Sequence, residues 1–221
     1  MKLMVAVPCG SMVHTEFMFS VFKLKANTSF TFTYLKDGLV HDSRNRFASD
    51  AINGGFDRIL MIDSDMVFEP DIIDRLSADM DTGIEYVAGI FTQRHLPAKP
   101  CVYKDLIYGP DESGRLISKA VHDLDYPRDT LFETCATGFG AVMISVPLIK
   151  RVWDHYGLPF HPLPMMGEDL TFCLRARELG AKLYCDSRVK VAHCGQFSYG
   201  EATYTAYRDH ADIIVEQEGT P

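Results

Sequence analysis

Two aspartates separated by a single serine, Asp63-Ser64-Asp65, follow directly on an apolar run at residues 59–62. A short run of large apolar residues predicts a strand that is buried on both faces, as in a parallel sheet. Open α/β sheets bind ligands at the carboxyl ends of their strands, and unpaired carboxylates are seldom buried. Asp63 and Asp65 would there suit a hard divalent cation that also contacts a phosphate. A solvated turn in which Asp63 caps the next segment explains the spacing equally well.

A second acidic pair, Glu168-Asp169, begins a predicted helix after a loop rich in proline, histidine and methionine at residues 155–166. Acidic residues stabilise helix N-termini by about 0.3–1 kcal/mol, so capping alone explains the pair. The functional alternative is a general base near the carboxyl edge of the sheet.

His193 ends an alternating strand at residues 189–193. A single histidine is more often structural than a ligand, but the end of a strand lets the ring reach a bound molecule. Zinc binding through His193 and Cys194 is not expected, because neighbouring strand residues point to opposite faces and the sequence offers no closed set of four ligands.

The elements that must position these groups alternate between strand and helix in the first part of the chain. Strands are predicted at residues 3–7, 28–35, 58–62 and 86–91, and helices at 13–24, 42–52 and 69–76. This βαβαβαβ order predicts a parallel sheet with right-handed crossover connections.

The second part of the chain is less regular. Segments 101–104 and 116–121 flank a polar tip at 109–114 and predict an antiparallel hairpin. The remaining predicted elements are strands at 139–146, 182–185 and 189–193 and helices at 147–153, 168–179 and 201–218. No internal repeat or linker divides the sequence.

The composition is that of an ordinary globular protein, with 47% hydrophobic and 24% charged residues among 221. A net charge of −8 argues against a broad electrostatic surface for nucleic acid or anionic membranes. The six cysteines include no CxxC pair and indicate reduced thiols rather than a disulfide framework. The sequence has no signal-peptide core and no run long enough for a transmembrane helix. We therefore expect a soluble, cytoplasmic protein without an integral membrane segment.

Taken together, Asp63-Ser64-Asp65, Glu168-Asp169 and His193 resemble the GT-A fold nucleotide-sugar glycosyltransferases, particularly the inverting family 2 group. The resemblance covers most of the chain. It includes the first strand at residues 5–8, segment 43–48, the DxD motif at 63–65, segment 137–141 and the helix start at 167–170. The DxD motif is weak evidence by itself, whereas its combination with the Glu-Asp helix start and a strand-terminal histidine is more specific.

This resemblance implies a single GT-A (Rossmann-like) α/β domain over residues 1–221, with a mostly parallel central sheet and a smaller antiparallel addition. Residues 1–91 would form the nucleotide-binding half, 92–200 the acceptor-binding half and 201–221 a C-terminal helix. The implied reaction moves a sugar from a nucleotide diphosphate sugar, expected to be a UDP-sugar, to an acceptor hydroxyl with inversion. The implied cofactor is Mn²⁺ or Mg²⁺, which would bridge the two phosphates of the donor.

The resemblance also assigns roles to residues on the donor side. Asp65 would bind the metal directly, His193 would be a second protein ligand, and Asp63 would contact the ribose or a metal-bound water. The expected contacts of the nucleotide-sugar are Pro8, Cys9, Asp37, Arg44, Asp63, Ser64 and Asp65, with Arg44 near the base or the phosphates.

On the acceptor side, Asp169 would take the proton of the attacking hydroxyl, and Glu168 is the less favoured base. Gly138 and Phe139 would line the sugar–acceptor pocket, where a missing side chain permits close approach. The acceptor itself could be a sugar, a glycan, a protein or a modified nucleic-acid base, and the acidic net charge disfavours the last. The sequence leaves the oligomeric state open.

Two other functions remain open at this point. A nucleotidyltransferase also holds a metal at a sheet edge, but it usually carries a basic, glycine-rich phosphate loop, and residues 8–14 contain no lysine or arginine. A non-catalytic nucleotide-sugar binding module is the other alternative, against which the intact set of Asp63, Asp65, Asp169 and His193 argues.

Overall fold

The structure, a computed structural model, describes residues 1–195 and 200–208. The first part of the chain comprises β1 (Leu3–Cys9), α1 (Thr15–Lys23), β2 (Phe30–Lys36), α2 (Val40–Asn53), β3 (Arg58–Ile62), β4 (Met66–Phe68), α3 (Ile72–Met80) and β5 (Tyr86–Ile90). The predicted alternation of strands and helices is confirmed here, with the short strand β4 as an addition.

The second part comprises β6 (Val102–Pro110), β7 (Leu116–His122), β8 (Leu131–Thr134), β9 (Ala136–Thr137), β10 (Ala141–Ser145), α4 (Val146–Tyr156), α5 (Glu168–Glu178), β11 (Leu183–His193) and α6 (Glu201–Arg208). The two short strands predicted at 182–185 and 189–193 are one strand, β11, whose pairing with β5 is irregular between Asp186 and Lys190. The predicted C-terminal helix is present at 201–208, and the rest of that prediction lies outside the described residues.

The central sheet has the order β2-β1-β3-β10-β5-β11-β4, with β8 also paired to β11. Strands β2, β1 and β3 run parallel, as do β5 and β11. Strand β10 lies between β3 and β5 and is antiparallel to both. The sheet is therefore mixed, and the prediction of a mostly parallel sheet is wrong in this respect. Because residues 141–144 of β10 are buried, the apolar sequence of this strand does not reveal its direction.

A second, three-stranded sheet has the order β7-β6-β9 and is antiparallel throughout. It confirms the predicted antiparallel addition, and the β6–β7 pair is the predicted hairpin.

Helices cover both faces of the central sheet. On one face Phe47 of α2, Leu148 of α4 and Phe172 of α5 pack in the same core cluster as Met61 of β3. On the other face Phe17, together with residues of α3, packs in the cluster that contains Leu60. Fully burying a large apolar side chain contributes roughly 1.5–3 kcal/mol. Since β3 contributes to both clusters, the Asp-Ser-Asp segment follows a strand that is buried on both faces.

Among the described residues, no helix combines the length and the apolar character needed to cross a membrane.

Candidate functional site

The edge of the sheet at which β1 and β3 end collects the predicted site residues. Because β10 runs antiparallel to β3, the glycine-containing segment before β10 lies at the same edge, where the Asp63 N–H donates to the Gly140 carbonyl at 3.1 Å. Strand β4 pairs with the end of β11 so that His193 is opposite Met66. The Cys194 N–H also donates to the Asp65 carbonyl. The mixed sheet thus brings residues far apart in sequence to one edge.

A cavity of about 380 Å³, here called the β1 pocket, lies on one side of Asp63-Ser64-Asp65. It contains six predicted donor-side residues: Pro8, Cys9, Asp37, Asp63, Ser64 and Asp65. Asp37 follows β2 with φ of 60°, a left-handed conformation that aspartate tolerates better than most residues. Met12 and His14 also line this pocket and were not singled out in the sequence.

A second cavity of about 310 Å³, here called the α5 pocket, lies on the other side of Asp63. The predicted residues that line it are Arg44, Asp63, Gly138, Phe139, Glu168, Asp169 and His193. Both volumes are in the range of small-ligand sites, about 300–1,000 Å³. Asp63 lines both pockets, so the two cavities meet at the Asp-Ser-Asp segment.

Asp65 and His193 form the contact at which a metal would bind. The His193 Nε2 lies 3.1 Å from Asp65 Oδ2, and its Nδ1 lies 3.1 Å from the Thr92 carbonyl oxygen. A carbonyl oxygen only accepts, so Nδ1 carries a proton. Nε2, which faces Asp65 Oδ2, is then the nitrogen that could bind a cation. A histidine whose other nitrogen donates to a backbone carbonyl is the usual arrangement of a metal ligand.

The spacing of these two atoms fits a divalent metal. Neighbouring ligands of an octahedral ion with bonds of about 2.1 Å are about 3 Å apart, close to the observed 3.1 Å. Imidazole with carboxylate oxygens suits Mn²⁺ better than Ca²⁺. Asp65 and His193 would hold such an ion, and Asp63 lies two residues away.

The charges around Asp65 keep its carboxylate ionised. Burial by itself would raise the pKa of Asp65, but the hydrogen bond with His193 and the charges of His193 and Arg94 lower it below its usual value. Arg94 Nη1 lies 2.8 Å from the same oxygen, Oδ2. Asp65 therefore offers a ready anion to a cation.

Arg44 of α2 joins the two acidic motifs from behind. Its side chain is 2% exposed, with Nη2 2.7 Å from Asp63 Oδ1 and Nη1 in a short contact with Glu168 Oε1. Its guanidinium also lies 5.1 Å from the centre of the Phe139 ring, in a cation–π contact. Burial raises the pKa of Asp63 despite the lowering effect of Arg44. Arg44 and Glu168 are thus committed to one buried ion-pair bridge.

Asp169, at the first turn of α5, has the opposite environment to Asp65. Its Oδ1 accepts the N–H of Leu170 at 2.7 Å, so part of its role is the capping considered from sequence. Burial and the neighbouring charge of Glu168 raise the pKa of Asp169 to about 6, against the lowering effect of Arg44. Gly167 permits this geometry, since a Cβ there would lie 2.9 Å from Asp169 Oδ1. A carboxyl with this pKa is suited to accept a proton near neutral pH.

Gly138 and Gly140 make room for protein atoms. A Cβ on Gly138 would lie 2.7 Å from Phe91 Cζ, and one on Gly140 would lie 2.6 Å from Met66 Cε. The Phe91 ring in turn contacts the ring of His193 edge-on, with centroids 6.0 Å apart. The glycines therefore support the floor of the α5 pocket and, through Phe91, the orientation of His193.

Three further residues of the α5 pocket, Arg94, His95 and Tyr103, were not found by sequence reasoning. The available signal was weak: a cation and a histidine in the loop after β5, at the edge where ligands bind.

Among the described residues, one additional group could offer three metal-ligand atoms, those of His14, Glu16 and Cys194, which lie within 4.8 Å of one another. His14 and Glu16 belong to the N-terminus of α1, and the partial positive charge of a helix N-terminus disfavours a cation.

Comparisons with known proteins bear on the fold. No protein-family model and no curated protein matches the chain. The crystal structure of A197 from STIV superimposes with a TM-score of 0.64 at 17% identity, covering 88% of this chain and 86% of that one. The structure of apo UDP-glucose pyrophosphorylase covers 94% of this chain and 82% of its own at 8% identity, with a TM-score of 0.43 that is too low to indicate a common fold. The chain thus has an α/β fold similar to that of A197.

Proposed function

We propose that this protein is a metal-dependent glycosyltransferase of the GT-A type. It moves a sugar from a nucleotide diphosphate sugar, in the first instance a UDP-sugar, to an acceptor hydroxyl with inversion. The acceptor belongs to a sugar, a glycan, a protein or a modified nucleic-acid base. Residues 1–91 supply most of the nucleotide site, and residues 92–200 supply most of the acceptor site.

The observation that carries the proposal is the meeting of two pockets at Asp63. The β1 pocket has the Asp-Ser-Asp segment in its wall, and the α5 pocket has Asp169 in its wall. Transfer between two substrates needs two sites that share one edge, so that the reacting atoms are held side by side. A site that only bound a nucleotide would not require the second pocket or its proton acceptor.

In the donor site, Asp65 and His193 would hold Mn²⁺ or Mg²⁺, and Asp63 would contact the ribose or a metal-bound water. When bound, the ion neutralises the negative charge that develops on the departing diphosphate. Pro8, Cys9 and Asp37 surround the nucleobase, and Ser64 lies beside the phosphates. Asp65 is fit for this role because its neighbours keep it ionised.

In the acceptor site, Asp169 is the general base. Its Oδ2 accepts no hydrogen bond from the described residues, so this oxygen is available to the acceptor hydroxyl. As the hydroxyl oxygen forms its bond to the anomeric carbon, the bond from that carbon to the diphosphate oxygen breaks, and the hydroxyl proton passes to Asp169. Glu168 is less suited to this role, because Arg44 already engages it.

The proposal is tested by thermal unfolding with UDP, GDP, ADP and CDP, each with and without MnCl₂, followed by turnover of the matching nucleotide sugars. We expect one nucleotide diphosphate to stabilise the protein in a Mn²⁺-dependent manner, and its sugar conjugate to be hydrolysed slowly without an acceptor. The absence of stabilisation by any of these nucleotides would contradict the proposal. Release of pyrophosphate from a nucleoside triphosphate would instead indicate a nucleotidyltransferase, and binding without turnover would indicate a binding module.

A further inference from the structure

The diphosphate of a donor in the β1 pocket needs positive charge from the protein, and the pocket walls offer little. Among the described residues that line the two pockets, Arg44 and Arg94 are the only arginines, and no lysine is present. Arg44 is buried, with its terminal nitrogens on Glu168 and Asp63. Moving it would leave two carboxylates without compensation in a poorly solvated place, which is strongly unfavourable. Arg44 is therefore not available to a phosphate.

Arg94 is in a different position. Its side chain is 58% exposed, and Nη1 lies 2.8 Å from Asp65 Oδ2. The same oxygen lies 3.1 Å from His193 Nε2. A cation held jointly by Asp65 and His193 would need this oxygen. Arg94 and the metal therefore compete for it.

The loop that carries Arg94 is held at its ends. The Cys101 N–H donates to the Phe91 carbonyl at 2.9 Å, and the Gln93 N–H donates to the Lys99 carbonyl at 2.9 Å. Within the described part of the chain, the side chain of Arg94 makes one hydrogen bond, to Asp65. An ion pair whose arginine is largely exposed contributes little stability, so Arg94 can exchange Asp65 for another partner at a small cost in free energy.

We infer that Arg94 changes partners when the donor binds: it neutralises Asp65 in the metal-free protein and binds a donor phosphate oxygen once the cation has replaced it. This inference rests on the proposed function and names the protein's own phosphate-binding cation. A guanidinium suits phosphate because it can donate two parallel N–H groups. Arg94 thus opposes the binding of metal alone and favours the binding of metal with nucleotide, which couples the two ligands.

The test uses Arg94→Ala, with Arg151→Ala as a matched control. Arg151 is also a partly exposed arginine, paired with Glu85 at 2.7 Å, and it lines neither pocket. Calorimetric titration gives the affinity for Mn²⁺ alone and then the affinity for UDP at saturating Mn²⁺. We expect Arg94→Ala to bind Mn²⁺ about threefold more tightly and UDP about tenfold more weakly. Arg151→Ala should match the wild type in both titrations.

Shifts of opposite sign from one substitution distinguish this role from simple destabilisation, which would weaken both ligands. Arg94→Gln, which keeps a donor without the charge, should give the same pair of shifts and serves if the alanine variant fails to fold. Unchanged Mn²⁺ affinity, or a UDP affinity equal to that of Arg151→Ala, would overturn the role of Arg94 while leaving the proposed function intact. Failure of the wild type to bind Mn²⁺ and nucleotide would overturn both.

Discussion

Asp65 and Asp169 lie at the same edge of the sheet, yet their neighbours shift their pKa values in opposite directions. Asp65 contacts the cationic Arg94 and the ring of His193, and its pKa is held below the usual value. Asp169 is buried next to Glu168, and its pKa is raised to about 6. Carboxylates whose environments separate their pKa values in this way are suited to different tasks. The first is suited to hold a cation and the second to receive a proton.

Arg44 connects the two acidic motifs to which Asp65 and Asp169 belong. It pairs with Asp63 on one side and Glu168 on the other, so it satisfies the neighbours of Asp65 and Asp169 and leaves those two side chains for ligands. The difference in pKa therefore depends on His193 and Arg94 beside Asp65 and on burial and Glu168 beside Asp169, and Arg44 reduces it by lowering the pKa of Asp169.

The largest expected effect comes from removing Asp65, the carboxylate with the lowered pKa. Asp65→Ala should abolish Mn²⁺ binding and lower donor turnover roughly 10³- to 10⁴-fold, because the ion supplies several kcal/mol of transition-state stabilisation. Metal titration and the release of nucleotide diphosphate measure the two effects. Asp154→Ala, which removes an exposed carboxylate paired with Lys150 at 2.6 Å, is the control and should behave as wild type. Wild-type turnover by Asp65→Ala would contradict the assignment of Asp65 as a metal ligand.

Replacing Asp169, the carboxylate with the raised pKa, should lower activity without lowering stability. Asp169→Asn keeps an oxygen for the Leu170 N–H but cannot take a proton, so transfer should fall about 10²- to 10³-fold while nucleotide binding persists. The wild-type rate should rise with pH through about 6, as the carboxyl loses its proton. Normal transfer by the asparagine variant would remove the base assignment and leave the metal assignment intact.

We also expect Asp169→Asn to change the free energy of unfolding in a pH-dependent way. A pKa raised in the folded state means that the folded protein holds the proton more tightly than the unfolded chain. The stability from Asp169 is therefore complete below about pH 4 and is lost as pH rises through about 6. Asp169→Asn should raise the free energy of unfolding by about 1–3 kcal/mol at pH 8 and by much less at pH 4, as measured by urea denaturation. Equal effects at both pH values would show that the ionised Asp169 carboxylate does not destabilise the folded protein.

Breaking the ion-pair bridge that Arg44 forms between Asp63 and Glu168 should lower the stability of the protein. Arg44→Met leaves Asp63 and Glu168 without their shared cation, and we expect a loss of about 3 kcal/mol in the free energy of unfolding. The double variant Arg44→Met/Glu168→Gln should recover part of the loss, because it removes one of the uncompensated charges. A loss below about 1 kcal/mol, or no recovery, would mean that the bridge is not what holds the two motifs together.

The smallest expected effect concerns the packing below the α5 pocket. Gly138→Ala places a Cβ 2.7 Å from Phe91 Cζ, which overpacks the floor and should destabilise the protein by about 1–2 kcal/mol. Because Phe91 contacts the His193 ring, Mn²⁺ affinity should also fall slightly. Gly10→Ala, beside the β1 pocket, is the matched control, since its Cβ would meet its nearest atom at an ordinary 3.8 Å. Equal stability of the two variants would contradict the packing role of Gly138.

Most of the helices and strands, and part of the lining of the two pockets, could be predicted from the sequence alone. The apolar run before Asp63 predicted β3, and strict alternation predicted β2, because burial and exposure leave a period in the sequence. Three features could be recognised in the sequence: the Asp-Ser-Asp segment, the Glu-Asp helix start and the strand-terminal histidine. Each places polar side chains at the end of a helix or strand, where packing alone does not explain them. The structure places all twelve of the predicted site residues in the wall of one or both pockets.

The directions of the strands, their pairing and the balance of charges in the site follow from the tertiary structure. A strand buried on both faces reads alike in either direction, so the antiparallel placement of β10 between β3 and β5 could not be predicted from its composition. The bridge from Arg44 to Glu168 joins residues 124 positions apart, and Arg94 approaches Asp65 from a loop that follows another strand. Such contacts leave no local period. The pKa values that distinguish Asp65 from Asp169 arise from these contacts and from burial, and so they depend on the folded protein.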